Sequence, residues 1–163
     1  MTARRLARPL AVALVVVAAA CGSGGDEATT TAGGDGPSGC VGGTTEAPPA
    51  LRLDLASGLD VSPGPVTWEL ALTNESDDEV TVEFPSNQFG DVVIRSGGDE
   101  VYRWSMGLVF AESIVTQPVA AGETFVFQLG ATELTVAPGR YELEASLTGF
   151  PVPEPLVCEI TVG

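Results

Sequence analysis

From Leu51 to the C-terminus, apolar side chains return at every second position, and this alternation limits the chain to one broad class of fold. Leu51, Leu53 and Leu55 share one phase, while Arg52 and Asp54 share the other. Val66, Trp68, Leu70 and Leu72 alternate with Thr67, Glu69, Ala71 and Thr73. Val80, Val82 and Phe84 form another set, as do Phe125, Phe127 and Leu129, then Tyr141, Leu143, Ala145 and Leu147, and finally Leu156, Cys158, Ile160 and Val162. Successive side chains of an extended strand point to opposite faces, so each run predicts a strand with one face on a core and the other in water. No window of similar length carries a helical period. Turn-forming stretches separate the runs: Ser62-Pro63-Gly64-Pro65, Asn74 to Asp78, Ser96-Gly97-Gly98-Asp99 and Pro138-Gly139. Many short strands at this spacing predict an all-β antiparallel sandwich or barrel, and residues 51–163 suit one domain with one core.

The segment Leu134-x-Val136-x-Pro138-Gly139-x-Tyr141-x-Leu143-x-Ala145 resembles the tyrosine corner of immunoglobulin-like sandwiches. In that motif a Tyr near a strand start bonds back to the upstream backbone. A plain Pro-Gly turn is the alternative, and both readings keep the sandwich.

The N-terminus is a separate unit. Arg4, Arg5 and Arg8 precede an apolar run from Leu10 to Ala20, and Ala18-Ala19-Ala20 lead into Cys21. A basic start, a short apolar stretch and small residues at a cleavage point describe a secretory signal. A Cys just after the cut resembles a bacterial lipoprotein signal over residues 1–20, with Cys21 as the lipidated new N-terminus. The run of about 11 apolar residues is well short of the roughly 20 needed to span a bilayer. Ordinary secretion with a free Cys21 stays open. Residues 21–50 are rich in Gly, Ser, Thr, Ala, Pro and acids, with almost no large apolar side chain, and read as a flexible linker. A free tether over 22–39 would span roughly 20–25 Å.

Charge and missing residue types exclude much chemistry. Of seven arginines, three leave with the signal; the four that remain face 22 Asp and Glu, a formal charge of −18. Such a body repels phosphate backbones and anionic headgroups, so no nucleic-acid partner is expected and any membrane attachment runs through the lipid on Cys21. The chain has no His and no Lys. Catalytic triads built on His, Ser-Lys pairs and Schiff bases are therefore out of reach. His-based zinc sites are excluded too, and three widely spaced Cys make no Cys-only site. Neither metal nor cofactor is expected.

Three Cys in an exported chain leave one over. If Cys21 carries lipid, Cys40 and Cys158 are free to pair in an oxidising compartment, closing a loop that chain-entropy models value at roughly 4–5 kcal/mol. Cys158 shares the inward phase with Ile160, so the bond would staple the chain ahead of the first strand to the last one. Two unpaired thiols are the alternative.

Other constellations have plainer readings. Asp77, Asp78 and Glu79, near Glu75, lack EF-hand spacing and read as a hairpin tip of solvated acids rather than a calcium loop. Asn74-Glu75-Ser76 matches a glycosylation sequon but reads as a turn. No carboxylate pair stands out as a glycosidase site. Trp68 lies on the inward phase and belongs in the core; Trp104 shares a phase with Tyr102 and Met106, and its place is left open.

Several stretches, in order, are similar to one known family. They are Asn74 to Phe89 (NESDDEVTVEFPSNQF), Asp91 to Ile94, Val101 to Phe110 (VYRWSMGLVF), Ala121-Gly122-Glu123 and Pro138-Gly139-Arg140-Tyr141. Together they resemble the BsuPI-type intracellular proteinase inhibitor domain over about residues 51–149. The resemblance implies an immunoglobulin-like antiparallel sandwich and inhibition of a subtilisin-type serine protease. The export signal, the disulfide and the stretch 149–155 (GFPVPEP) depart from it, so an intracellular target does not carry over.

The chain is therefore expected to be no enzyme. It reads as a lipoprotein on the outer face of the cytoplasmic membrane whose domain binds a protein, with a subtilisin-type serine protease as the partner that the resemblance implies. A cell-envelope accessory module without inhibitory activity is the rival. A substrate-like inhibitor needs a rigid exposed loop, because preorganisation lowers the ordering cost of binding. Pro85, Ser86, Asn87 and Gln88 are the first candidate, since Pro restricts the backbone and Phe84 and Phe89 can anchor both ends. A sheet-to-sheet connection that caps its own backbone is the alternative for that loop. Ser105 to Ser113, where the alternation weakens, is the second candidate.

Overall fold

The alternating runs form strands whose inward residues meet in one core. A computed structural model describes residues 40–45 and 49–163; Cys21 lies outside them. Eleven strands follow in chain order: β1 (Cys40–Gly42), β2 (Leu51–Leu55), β3 (Asp60–Val61), β4 (Gly64–Asn74), β5 (Val80–Phe84), β6 (Gly90–Ser96), β7 (Asp99–Arg103), β8 (Val115–Val119), β9 (Thr124–Leu134), β10 (Gly139–Leu147) and β11 (Leu156–Val162). Among the described residues no helix is long and apolar enough to cross a membrane.

One sheet runs β1-β11-β10-β6-β7, with β3 parallel to the end of β11. The other runs β2-β4-β9. Apart from β3, every pairing is antiparallel. Reading β2, β4 and β9 as A, B and E, and β6, β7, β10 and β11 as C, C′, F and G, gives the strand arrangement of an immunoglobulin-like sandwich. Leu53, Trp68, Leu70 and Leu129 from one layer and Ile94, Leu143 and Ile160 from the other are buried in a shared core. Trp68 is fully buried, and its indole N–H donates to Tyr102 Oη at 3.2 Å across the layers. Tyr102 Oη in turn lies 2.6 Å from Thr132 Oγ1, so the polar tips of two large aromatic residues are satisfied inside the core.

Local chemistry accounts for several joints. Gly97 and Gly98 both take positive φ, 59° and 93°, the conformation a two-residue hairpin turn between β6 and β7 demands. Tyr141 Oη donates to Ala137 O at 2.8 Å, which is the tyrosine corner expected at the β9–β10 connection. Cys40 pairs directly with Cys158 in the β1–β11 ladder, and the two form a disulfide. The sheet thus includes Cys40–Gly42, ahead of the Leu51 boundary read from the alternation.

Two expectations are corrected. Between β2 and β4 the chain adds the short strand β3, at two residues that the alternation leaves unassigned, and β4 starts inside the Ser62–Pro65 turn, at Gly64. Asn74 to Glu79 is not a hairpin tip, because β4 and β5 do not pair with each other: β4 pairs β2 and β9, and β5 pairs β8. The β4–β9 ladder runs to Thr73 and Thr124, Asn74 and Glu123 continue it by a backbone bond, and the next register pair is Val80 with Val119. The two ribbons are one long ribbon with a kink. Asn74, fully buried, fills the kink: its Nδ2 lies 2.7 Å from Asp78 O, 3.0 Å from Val119 O and 3.2 Å from Ala120 O, while Oδ1 accepts from Ser76 N and Oγ. An amide so engaged explains why the sequon-like triplet is structural.

Beyond the kink, β5 reaches the connection between β10 and β11. Glu83 and Phe150 exchange two backbone bonds of 2.9 Å each, which places the 149–155 stretch as the strap between the ribbon and the other sheet.

Candidate functional site

Two connections meet at the β5–β8 ribbon: residues 85–89, between β5 and β6, and residues 104–114, between β7 and β8. They contain both loops singled out in the sequence, and the structure joins them. Asn87 N donates to Ala111 O at 3.2 Å, and Ala111 N donates to Asn87 Oδ1 at 2.7 Å.

The first loop is largely occupied with itself. Gln88 N donates to Ser86 Oγ at 3.2 Å, Gln88 Nε2 donates to Gly90 O at 3.4 Å, and Gln88 O accepts from the Thr148 hydroxyl. Phe89 packs edge-on against Phe84, with ring centroids 5.2 Å apart. Pro85 and Asn87 are exposed, while Ser86 and Gln88 are half-buried.

The second loop is built on a buried carboxylate. Asp91, the second residue of β6, accepts four bonds: from Val92 N at 2.9 Å, from Ser105 N at 3.1 Å, from Ser105 Oγ at 2.8 Å and from Arg103 Nη1 at 2.8 Å. Arg103 also holds Glu100 through two bonds, of 3.0 and 2.6 Å. Hydrogen bonding to Glu100 and then Asp91 raises the Arg103 guanidinium above its ordinary value, and the bond from Arg103 holds the Glu100 carboxyl below the usual carboxylate range. Trp104 is buried, donates Nε1–H to Gly130 O at 2.7 Å and packs on Phe110 with centroids 5.6 Å apart. Its open assignment is thus resolved as an anchor.

Between these anchors the chain carries exposed apolar side chains. Gly107 has φ of 79°, a turn conformation that suits Gly. Met106 is 69% exposed, Leu108 41%, Val109 97% and Ile114 70%. Single exposed apolar residues are ordinary, but several along one loop make this stretch the candidate surface.

A groove of about 200 Å³ lies at the end of the first loop, lined by Phe89, Val115, Phe125 and Phe127 with Gln117 and Gln128 at its polar positions. The acidic turn serves the fold: Glu75 accepts from Arg52 Nε at 2.7 Å, and Asp78 O is bound by Asn74. Among the described residues no cluster of three or more His, Cys, Asp or Glu is placed to hold a metal ion.

Asp91 and Asn74 escaped the sequence reading. An acid opening an otherwise apolar strand, with Arg and Ser two residues apart further along, was the available sign of Asp91. Asn74 was marked by its turn, by the sequon-like triplet and by the family-like stretch it opens, none of which points to a buried amide.

Residues 53–152 match the BsuPI family, described as intracellular proteinase inhibitor. No curated protein matches the chain. Among solved structures, the crystal structure of a CARDB domain from Pyrococcus furiosus in complex with di-metal ions is similar at 16% identity, over 69% of this chain and 87% of that one, with a TM-score of 0.39. The solution structure of the same domain gives 15%, 69%, 93% and 0.38. A beta-glucosidase from Listeria innocua in complex with glucose matches at 16% identity over 69% of this chain and 16% of that one, with a TM-score of 0.35.

Proposed function

This chain belongs to the BsuPI family of intracellular proteinase inhibitors, and from that premise we propose that it is a non-catalytic inhibitor of a subtilisin-type serine protease, held outside the cytoplasmic membrane by a lipid on Cys21. The observation that carries the reading is the joined pair of loops within the family's own span. A braced, exposed, apolar surface is what a protease-binding protein needs, because the ordering cost of binding is already met in the free protein. The composition agrees, since a chain without His or Lys lacks the usual means of activating a nucleophile.

The family is described as intracellular, whereas residues 1–20 read as an export signal. That mismatch favours a second reading, an envelope accessory module that binds a protein without inhibiting a protease.

Two measurements test these readings. Mass spectrometry of the mature chain is expected to find lipid on an N-terminal Cys21, and Cys21→Ser is expected to shift the protein from the membrane to the soluble fraction; an unmodified, soluble wild type would sink the anchor. Titration of the purified full-length chain into subtilisin-type proteases is expected to give inhibition at micromolar concentration or below. A protein that neither inhibits nor is cleaved would establish the second reading in place of the first.

A further inference from the structure

We infer that the segment Leu108–Phe110 is the part that enters the protease cleft, and that Val109 seats in the primary specificity pocket of an enzyme selective for small apolar side chains. This rests on the inhibitor reading above and adds the contact residue and the specificity.

The first argument is exposure. Val109 is a β-branched apolar side chain left 97% in water, so burial in the folded chain gives no reason for it. The second is bracing. On its N-terminal side the loop is tied through Ser105 to the buried Asp91, and Leu108 N donates to Ser105 O at 3.1 Å. On its C-terminal side Phe110 leans on Trp104, and Ala111 is held by Asn87 from both its N–H and its carbonyl. Val109 thus projects from a short span fixed at each end, which places Asn87 and its neighbours as positioning residues.

The third argument is charge. In a chain with 22 acids, Trp104 to Ala111 carries none. Desolvating a charge is costly, so a charge-free stretch is the part of this surface that can be buried cheaply against a partner. The fourth is size. Serine protease primary pockets differ: one with a buried Asp takes basic side chains, a wide slot takes aromatic ones and a small apolar pocket takes short aliphatic ones. Val suits the last.

The full-length chain, its Val109→Arg and Val109→Asp variants and Asn87→Ala are titrated against a subtilisin-type, an elastase-type and a trypsin-type protease. Wild type is expected to inhibit the first two and spare the third. Val109→Arg is expected to lose at least about 30-fold against the elastase-type enzyme and to gain inhibition of the trypsin-type enzyme. Val109→Asp is expected to lose against all, and Asn87→Ala to keep the order of preference while being cleaved faster. An unchanged unfolding midpoint for the Val109 variants shows that they fold. If wild type inhibits and both Val109 variants inhibit equally well, this assignment falls and the inhibitor reading stands. If wild type inhibits none of the three enzymes, the inhibitor reading falls and takes the assignment with it.

Discussion

Asn87 and Ala111 hold each other through two hydrogen bonds, with the Asn87 amide on the Ala111 carbonyl at 3.2 Å and the Ala111 amide on Asn87 Oδ1 at 2.7 Å. A side chain here completes a bridge that a second strand would otherwise supply, and it makes one surface from two distant connections. Asn87→Ala keeps the backbone bond and removes the other. It is expected to lower stability by only about 1 kcal/mol, since the bond is exposed. Amide exchange over residues 106–113 is expected to quicken while that of β10 stays unchanged; equal exchange in both proteins would refute the bracing role.

Asn74 holds the kink in the long ribbon from a fully buried position. Asn74→Ala removes the donors facing three carbonyls and leaves them short of partners, so a loss of about 2–4 kcal/mol is expected in urea unfolding. Asn74→Asp is expected to be no better, because a carboxylate would face the carbonyls of Asp78, Val119 and Ala120.

The Cys40–Cys158 bond joins residues 118 apart in sequence. Replacing both Cys by Ser is expected to cost about 2–5 kcal/mol, because the unfolded chain, freed of the cross-link, gains conformational entropy. The three-residue β1 is expected to lose its exchange protection, while β10 and β6 keep theirs. A midpoint unaffected by the double substitution would show that the staple is idle.

Gly149 sits where the strap crosses the ribbon. A Cβ there would lie 2.7 Å from Val82 Cγ1 and 2.9 Å from Glu83 O, and the second contact is backbone. Gly149→Ala is therefore expected to destabilise by about 1–3 kcal/mol through overpacking. Gly97→Ala meets no neighbour, and its cost comes from the positive φ alone.

Glu100 is held below its ordinary range by the hydrogen bond from Arg103, and Arg103 is raised above its own. A lowered carboxyl contributes stability that is complete above its unfolded pKa and is lost as pH falls through the folded value. A raised guanidinium contributes stability that is complete below its unfolded pKa, so it stays constant from neutral pH downward. Acid is thus expected to weaken this ion pair progressively, starting in the usual carboxylate range and finishing once pH has fallen through the lower folded value. Glu100→Gln is expected to flatten that part of the curve of urea midpoint against pH; an identical curve would show that the pair contributes nothing.

The fold was largely legible because the period of a strand is local. Leu51 to Leu55, Val80 to Phe84 and Leu156 to Val162 are buried at the alternate positions their sequences mark. The Tyr141 corner followed from a compact motif, and the Cys40–Cys158 bond from parity and phase. Both candidate loops stood out, since alternation fails where the chain leaves a sheet.

Residue order alone thus marked the inward phase of the alternating strands, because neighbouring positions on a pleated chain have no choice of face. It left open which strands become neighbours, because a pairing partner is selected by contacts far along the chain. The passage of the β4–β9 ladder into β5–β8 through Asn74, the added strand β3 and the strap at Phe150 all belong to that second kind. So does the meeting of Asn87 with Ala111, which turned two separate loop candidates into one braced surface.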